Sequence, residues 1–201
     1  MEARITLVPL ILSLLLLSSG CISSPANPPT HTGGPESPWA PDGAIKGGEY
    51  TLNRSTADGS FWLFLRVENG TLFVGMKART RGWLAVGFGG GPGMKETDIV
   101  IAYVLPNGTV MIRDDYSTGF AGPHNPDTEY GGREDVVSYG GREAGDFTIV
   151  EFSRRLDTGD RYDFEIPLGE SFRVIWAYGS MDDFLSDHSR AGGFYIAIGG
   201  G

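Results

Sequence analysis

A single cysteine, Cys21, is all the thiol this 201-residue chain contains. No disulfide can form within one copy of the chain. There is no CxxC zinc motif and no CxxCH sequence for covalent haem attachment. Histidine is nearly as scarce, with His31, His124 and His188 only. Basic residues number 16 against 25 acidic ones, a formal net charge of −9, so the basic footprint that a nucleic-acid partner requires is missing. GxSxG, HExxH and Walker sequences are also missing, and with them the usual signatures of serine hydrolases, zinc proteases and P-loop enzymes. No long stretch carries helical periodicity. What is present is glycine, 31 residues of it, and many short apolar runs, which together predict an all-β domain with many turns.

The chain divides into three by composition. Residues 1–20 read as an export signal: Arg4 gives a positive start, 5–17 is almost wholly apolar, and Ser18, Ser19 and Gly20 follow. The apolar run is short for a membrane span. Cys21 comes directly after, which resembles a lipoprotein signal, in which the cysteine is lipidated and becomes the new N-terminus. Ser18 stands where such signals carry an aliphatic residue. An ordinary signal peptide or a short uncleaved anchor are the other readings. All three put the protein outside the cytoplasm, at a membrane. Residues 21–48 are rich in Pro, Ser, Gly, Thr and Asn and read as a tether, in which His31 is simply solvated. Residues 49–201 form the predicted domain.

Within that domain the alternation of apolar residues predicts strands over 60–68 and 71–78, joined by Asn69-Gly70, and over 98–105 and 109–116, joined by Asn107-Gly108. Further strands are expected over 82–88, 146–154, 171–178 and 194–198, with shorter ones over 49–52, 136–139 and 162–166. Residues 117–135 and 179–193 read as loops, the second with one helical turn at 182–186. Eight to ten short strands with turns between them predict an antiparallel, immunoglobulin-like β-sandwich.

The organising stretch is residues 82–103, GWLAVGFGGGPGMKETDIVIAY. It reads as a strand buried on both faces, a glycine break, and a second strand. Met94 follows the break. His188 lies in the loop after another strongly apolar strand. Thioether and imidazole form an axial pair for haem iron, and the thioether favours the reduced metal. Taken singly, Met94 reads as core filler and His188 as a surface residue. Asp114 and Asp115 are neighbours on a strand and point to opposite faces, so they do not act as one acid–base pair. Asp182, Asp183 and Asp187 do not have EF-hand spacing. Asn53, Asn69 and Asn107 match glycosylation acceptors, but turn chemistry already explains the last two.

The sequence Gly82-Trp83-Leu84-Ala85-Val86-Gly87-Phe88-Gly89, followed by Met94 and Asp98-Ile99-Val100, resembles the core motif of DOMON domains. So do Asp114-Asp115-Tyr116-Ser117, the run from Val150 to Thr158, and Trp176-Ala177-Tyr178-Gly179 ahead of His188. Asp42-Gly43 and Gly48-Glu49-Tyr50 extend the likeness, which therefore covers about residues 42–201. The resemblance implies a β-sandwich outside the cytoplasm that binds b-type haem or sugars. In the haem-binding branch, like the cytochrome domain of cellobiose dehydrogenase, a Met in the loop after the GW strand and a His in the loop after the WA strand ligate iron. Met94 and His188 hold those places. The expectation is a membrane-anchored, extracytoplasmic b-type cytochrome module. It would pass electrons to or from a redox partner protein and would not be an enzyme by itself. Phe88 and Trp176 are expected to line the cofactor slot, with Tyr178, Phe184 and Phe120 as further candidates. Lys95 and Arg190 are expected to meet the propionates, and His124 is the substitute ligand for His188. The alternative is a carbohydrate-binding module without haem, presenting Trp39, Trp62 or Tyr130. Copper held by one Met and one His is a third reading, with a thin ligand set.

Overall fold

The structure is a computed structural model in which residues 38–199 are described. The expected signal at 1–20, the lipidation of Cys21 and the tether as far as residue 37, His31 included, lie outside the described residues. So do residues 200 and 201.

Strand β1 (Leu52–Ser55), β2 (Phe61–Glu68), β3 (Thr71–Ala78), β4 (Leu84–Phe88), β5 (Thr97–Val104), β6 (Val110–Ser117) and β7 (His124–Pro126) come first. The short helix α1 (Asp127–Tyr130) follows, and then β8 (Ser138–Ala144), β9 (Phe147–Arg155), β10 (Ser171–Tyr178) and β11 (Arg190–Ala197). They form two sheets, in the orders β1-β2-β3-β9-β8 and β11-β10-β4-β5-β6-β7. Every pairing between named strands is antiparallel. The protein is thus the all-β sandwich that the spacing of its apolar runs predicts.

The period of two explains which residues meet. Phe61, Leu63 and Leu65 of β2 and Leu72, Val74 and Met76 of β3 face inward and are fully buried. From the other sheet Leu84, Val86 and Phe88 of β4, Val100 and Ala102 of β5, and Val174 and Trp176 of β10 close on them. Each fully buried Leu or Phe of this kind contributes about 1.5–3 kcal/mol. The intervening residues Ala85, Ile99 and Ile101 point to the outer face of the second sheet and build a smaller apolar cluster with Trp83. That second cluster is why β4 is buried at all five positions.

Both Asn-Gly hairpins form, the second as a longer turn in which only Gly108 is left-handed and its N–H donates to the Leu105 carbonyl at 2.8 Å. Asn69 and Gly70 take φ of 50° and 75°, the left-handed pair that a two-residue hairpin requires. Five expectations shift. The first short strand lies over 52–55 and not over 49–52. Residues 162–166 form no strand, because their backbone bonds go elsewhere: the Phe164 N–H donates to the Asp98 carboxylate at 2.8 Å. The 117–135 loop contains β7 and α1, too short to leave a periodic signal. No helical turn forms at 182–186; there the Asp183 carboxylate accepts the Leu185 and Ser186 N–H groups at 2.8 and 2.7 Å. The end of the expected tether belongs to the fold: the Trp39 ring packs 4.8 Å from Phe73, and the Gly43 N–H donates to Glu151 at 2.7 Å. Among the described residues no helix is long and apolar enough to cross a membrane.

Candidate functional site

The outer face of the second sheet carries a cavity of about 320 Å³. Its floor is the outward-facing set of three neighbouring strands: Ala85 and Gly87 of β4, Ile99 and Ile101 of β5, and Ile175 and Ala177 of β10. Small residues alternate with Ile there, so the sheet face is apolar but low. Two walls rise from it. One is the β4–β5 loop with residues 121–125, carrying Met94 and His124; the other is the β10–β11 loop, carrying Phe184, Leu185, Ser186 and His188.

The β4–β5 wall is tied at many points. The Met94 N–H donates to the Phe120 carbonyl at 2.8 Å, and the Met94 carbonyl accepts the Thr97 N–H at 3.1 Å. Arg173 donates to the Gly93 carbonyl at 2.6 Å. Gly93 has φ of +66°, and a side chain there would lie 2.2 Å from the Phe120 carbonyl oxygen. Only glycine fits, for two independent reasons. Met94 is therefore delivered, half-buried, by a loop with little freedom.

The opposite wall hangs on Trp83. Its ring N–H donates to the Ser186 hydroxyl at 3.1 Å, and its backbone exchanges bonds with Met181 and Gly179. Phe184 packs 4.8 Å from Tyr103 and lies under the Arg113 guanidinium. His188 is exposed on this wall. Met94 and His188, far apart along the chain, thus border one cavity from facing loops.

His124 borders it too. Its Nδ1 lies 2.6 Å from a carboxylate oxygen of Asp115, which is fully buried and held at 2.5 and 2.6 Å by two Arg113 nitrogens. A ring nitrogen fixed by a carboxylate is the usual second support of a metal-binding imidazole, and it sets which nitrogen is free. The alternation rule for Asp114 and Asp115 holds: Asp115 serves the cavity face and Asp114 the interior. The spacing from Asp115 to His124 gives no hint of their contact; only the short strand β7, pairing Ser117 with His124, creates it.

Three expected contacts need correction, and a fourth, Trp176, is met in part. Phe88 is fully buried in the sandwich interior and does not line the cavity, because it shares a face with Val86 and not with Gly87. Trp176 does border the cavity as expected, while its ring stacks at 5.0 Å on Phe61 in the interior. Lys95 is outside the cavity lining and 3.5 Å from Glu96. Arg190 is also outside it and pairs with Asp58 of the β1–β2 turn. Of the other candidates, Phe184 lines the cavity, Tyr178 is core, and Phe120 is 69% exposed beside Gly93.

The family model for the DOMON domain matches residues 57–179. The chain belongs to the DOMON family. Its structure is similar to the cytochrome b domain of pyranose dehydrogenase from Coprinopsis cinerea, with a TM-score of 0.54 and 17% identity, covering 72% of this chain and 80% of that one. It is similar also to the cytochrome domain of Myriococcum thermophilum cellobiose dehydrogenase, with a TM-score of 0.52 and 13% identity over 73% and 81% of the two chains. At those identities the likeness is one of fold. In sequence this DOMON domain is 26% identical over 136 residues to MOXD1 homolog 1 of Drosophila melanogaster, covering 62% of this chain and 18% of that protein. It is 31% identical over 133 residues to the putative DBH-like monooxygenase protein 2 of Homo sapiens, covering 64% of this chain and 25% of that protein. The chain thus spans no more than a quarter of the length of these two relatives.

Proposed function

We propose that this DOMON domain binds b-type haem in the cavity on its second sheet, where Met94 and His188 would hold the iron, and acts as an electron carrier. The observation that carries the reading is that a thioether and an imidazole from distant loops border one apolar cavity. The donor set fits the group: sulfur and nitrogen donors over an apolar floor suit iron in a flat hydrophobic ring, and a covalent link would need cysteines that the domain does not contain. When bound, such a haem supplies one-electron chemistry. This chain's residues hold it, keep water from the floor, and fix both ligands against a rigid sheet. With a thioether and an imidazole both holding the iron, no coordination site would be left for a substrate, so the module would be a carrier that works with a redox partner protein. The export signal and Cys21 belong to the same proposal, as a lipid anchor on the outer face of the cell membrane.

A second reading of the imidazole rests on Asp115. His124 has the carboxylate support that a metal-bound imidazole usually carries, while among the described contacts His188 has none. In this variant of the proposal His124 and Met94 are the pair. The sugar-binding alternative draws less support. Its aromatics pack elsewhere and apart: Trp39 on Phe73, Trp62 on Phe147, and Tyr130 with Tyr116 and Tyr162.

The test is one titration. Purified protein, as isolated or after addition of haem, should give the absorption spectrum of a six-coordinate b-type haem that shifts on reduction with dithionite. Protein that stays colourless and leaves the spectrum of added haem unchanged overturns the proposal.

A further inference from the structure

A separate group of residues lies on the opposite, inner face of the same sheet. Asp98 of β5, Asp114 of β6 and Asp163 each bring one carboxylate oxygen to within 4.8 Å of the others. Asp98 and Asp114 are 2% and 1% exposed. Their partners account for one oxygen each. Asp98 Oδ2 takes Arg154 and the Phe164 N–H, and Asp114 Oδ2 takes the Asp135 N–H at 3.0 Å. Asp98 Oδ1 and Asp114 Oδ1 accept nothing.

Asp127, at the start of α1, is the independent sign. It is fully buried, and neither of its carboxylate oxygens has a hydrogen-bond partner. It is near enough to the group that Asp98 and Asp163 are the first charges acting on it after burial itself. Three aspartates thus share one buried place, with Asp127 a further buried carboxylate that feels their charge, and Arg154 pairs with Asp98 and lies 3.6 Å from Asp163. Leaving a buried carboxylate oxygen without a partner costs about 1–3 kcal/mol, and more when it is charged.

We propose that Asp98, Asp114, Asp127 and Asp163 form a calcium site at the end of the sandwich interior. The donors are all hard oxygens from carboxylates, with no sulfur or imidazole, which selects calcium or magnesium over zinc, copper or iron. Calcium is the better match, because it accepts several carboxylates at once in irregular geometry, whereas magnesium keeps most of its waters. Without a cation the same carboxylates retain protons. Burial, then mutual repulsion, pushes Asp114 up to about 9 and Asp127 up to about 8, and burial raises Asp163 to about 6. The ion would tie the paired strands β5 and β6 to α1 and to the segment between β9 and β10, which no strand ladder joins to them. It also steadies the stretch that carries His124. This proposal is independent of the haem reading, since the two sites lie on opposite faces of one sheet.

The full chain, dialysed free of metal, is titrated with calcium chloride and separately with magnesium chloride by calorimetry, and melted with and without EGTA. Its calcium content is measured by plasma mass spectrometry. About one tightly held calcium per chain is expected, with a melting temperature that EGTA lowers. Asp127→Asn and Asp114→Asn should each weaken calcium binding by more than about tenfold and remove the EGTA effect. In metal-free buffer at pH 8 both variants should melt no lower than the metal-free parent, because the amide keeps the shape of the largely protonated carboxyl and removes what charge remains. This shows that loss of binding is not loss of fold. A double Asp182→Asn, Asp187→Asn variant should bind as the parent does. Failure to bind calcium overturns the proposal, as does binding that survives both single variants or a preference for magnesium.

Discussion

Gly93→Ala tests how the cavity wall is built. Alanine at φ of +66° costs about 1–2 kcal/mol relative to glycine, offset by about 0.4–1 kcal/mol from the stiffer unfolded chain. The new Cβ would lie 2.2 Å from the Phe120 carbonyl oxygen, so the two segments must part. That movement breaks the hydrogen bond from the Met94 N–H to the same oxygen, at about 0.5–1.5 kcal/mol. The net loss is about 1–3 kcal/mol. For a domain of this size each kcal/mol lowers Tm by about 2–4 °C, so the variant should melt about 2–12 °C below the parent. Gly108→Ala is the matched control. It has φ of +84° and no atom within 4 Å of the new methyl group, so it carries the strain without the collision. Thermal melts followed by circular dichroism should rank parent, Gly108→Ala and Gly93→Ala in falling order. Haem titration should then show weakened or altered coordination for Gly93→Ala alone. Equal melting of the two variants, together with an unchanged haem spectrum for Gly93→Ala, would refute the claim that this collision positions Met94.

Met94→Ala should abolish the six-coordinate spectrum, and comparing His188→Ala with His124→Ala identifies the second ligand: the one whose loss leaves a five-coordinate spectrum is the ligand. Arg154→Met should cost about 3–5 kcal/mol in urea denaturation, because it strands the Asp98 carboxylate in the interior. The metal-free protein should lose stability as pH rises. Asp163, Asp127 and Asp114 hold their protons in the folded state up to about 6, 8 and 9, while the unfolded chain releases them near 3.8. Folded protein therefore binds more protons across that window, and stability present below pH 4 declines until pH 9. Saturating calcium should flatten the decline, as read from denaturant midpoints across pH.

The strands were legible because most of them follow one rule. In β2 and β3 each inward residue is apolar and each pair is closed by an Asn-Gly turn, so period and turn chemistry agree. The rule failed where segments were too short to show a period, as in β7 and α1. It failed also at 162–166, where an apolar alternation exists but the backbone is claimed by the Asp98 carboxylate. Met94 and His188 were legible as a pair only through the family resemblance; spacing alone ranks neither above core filler or surface residue. Phe88 was misplaced for a simpler reason. It is aromatic and lies near the loops, but the face of a strand is decided by parity, and its face is the interior. The acidic cluster was invisible because its members come from four separate segments, and each reads alone as a solvated turn or edge residue.

Parity also links the two sites. Asp114 and Asp115 are consecutive, yet one faces the buried aspartates and the other holds His124 against the cavity. A slip of one residue between β5 and β6 would exchange them. It would leave His124 without its carboxylate and put Asp115, with its Arg113 partner, into the interior. The pairing of Ile99 with Asp115 and of Val100 with Asp114 is therefore the register on which both sites depend. The Asn107-Gly108 turn starts that register and the buried Asp98–Arg154 pair locks its far end. Arg154 belongs to the other sheet, so the same ion pair that joins the two layers also fixes which face of β6 each aspartate serves. On this account Arg154→Met should disturb His124 as well as stability, although Arg154 is not among the residues bordering the cavity. A His124 nuclear magnetic resonance titration that is unchanged in the folded variant would separate the two effects and break the link.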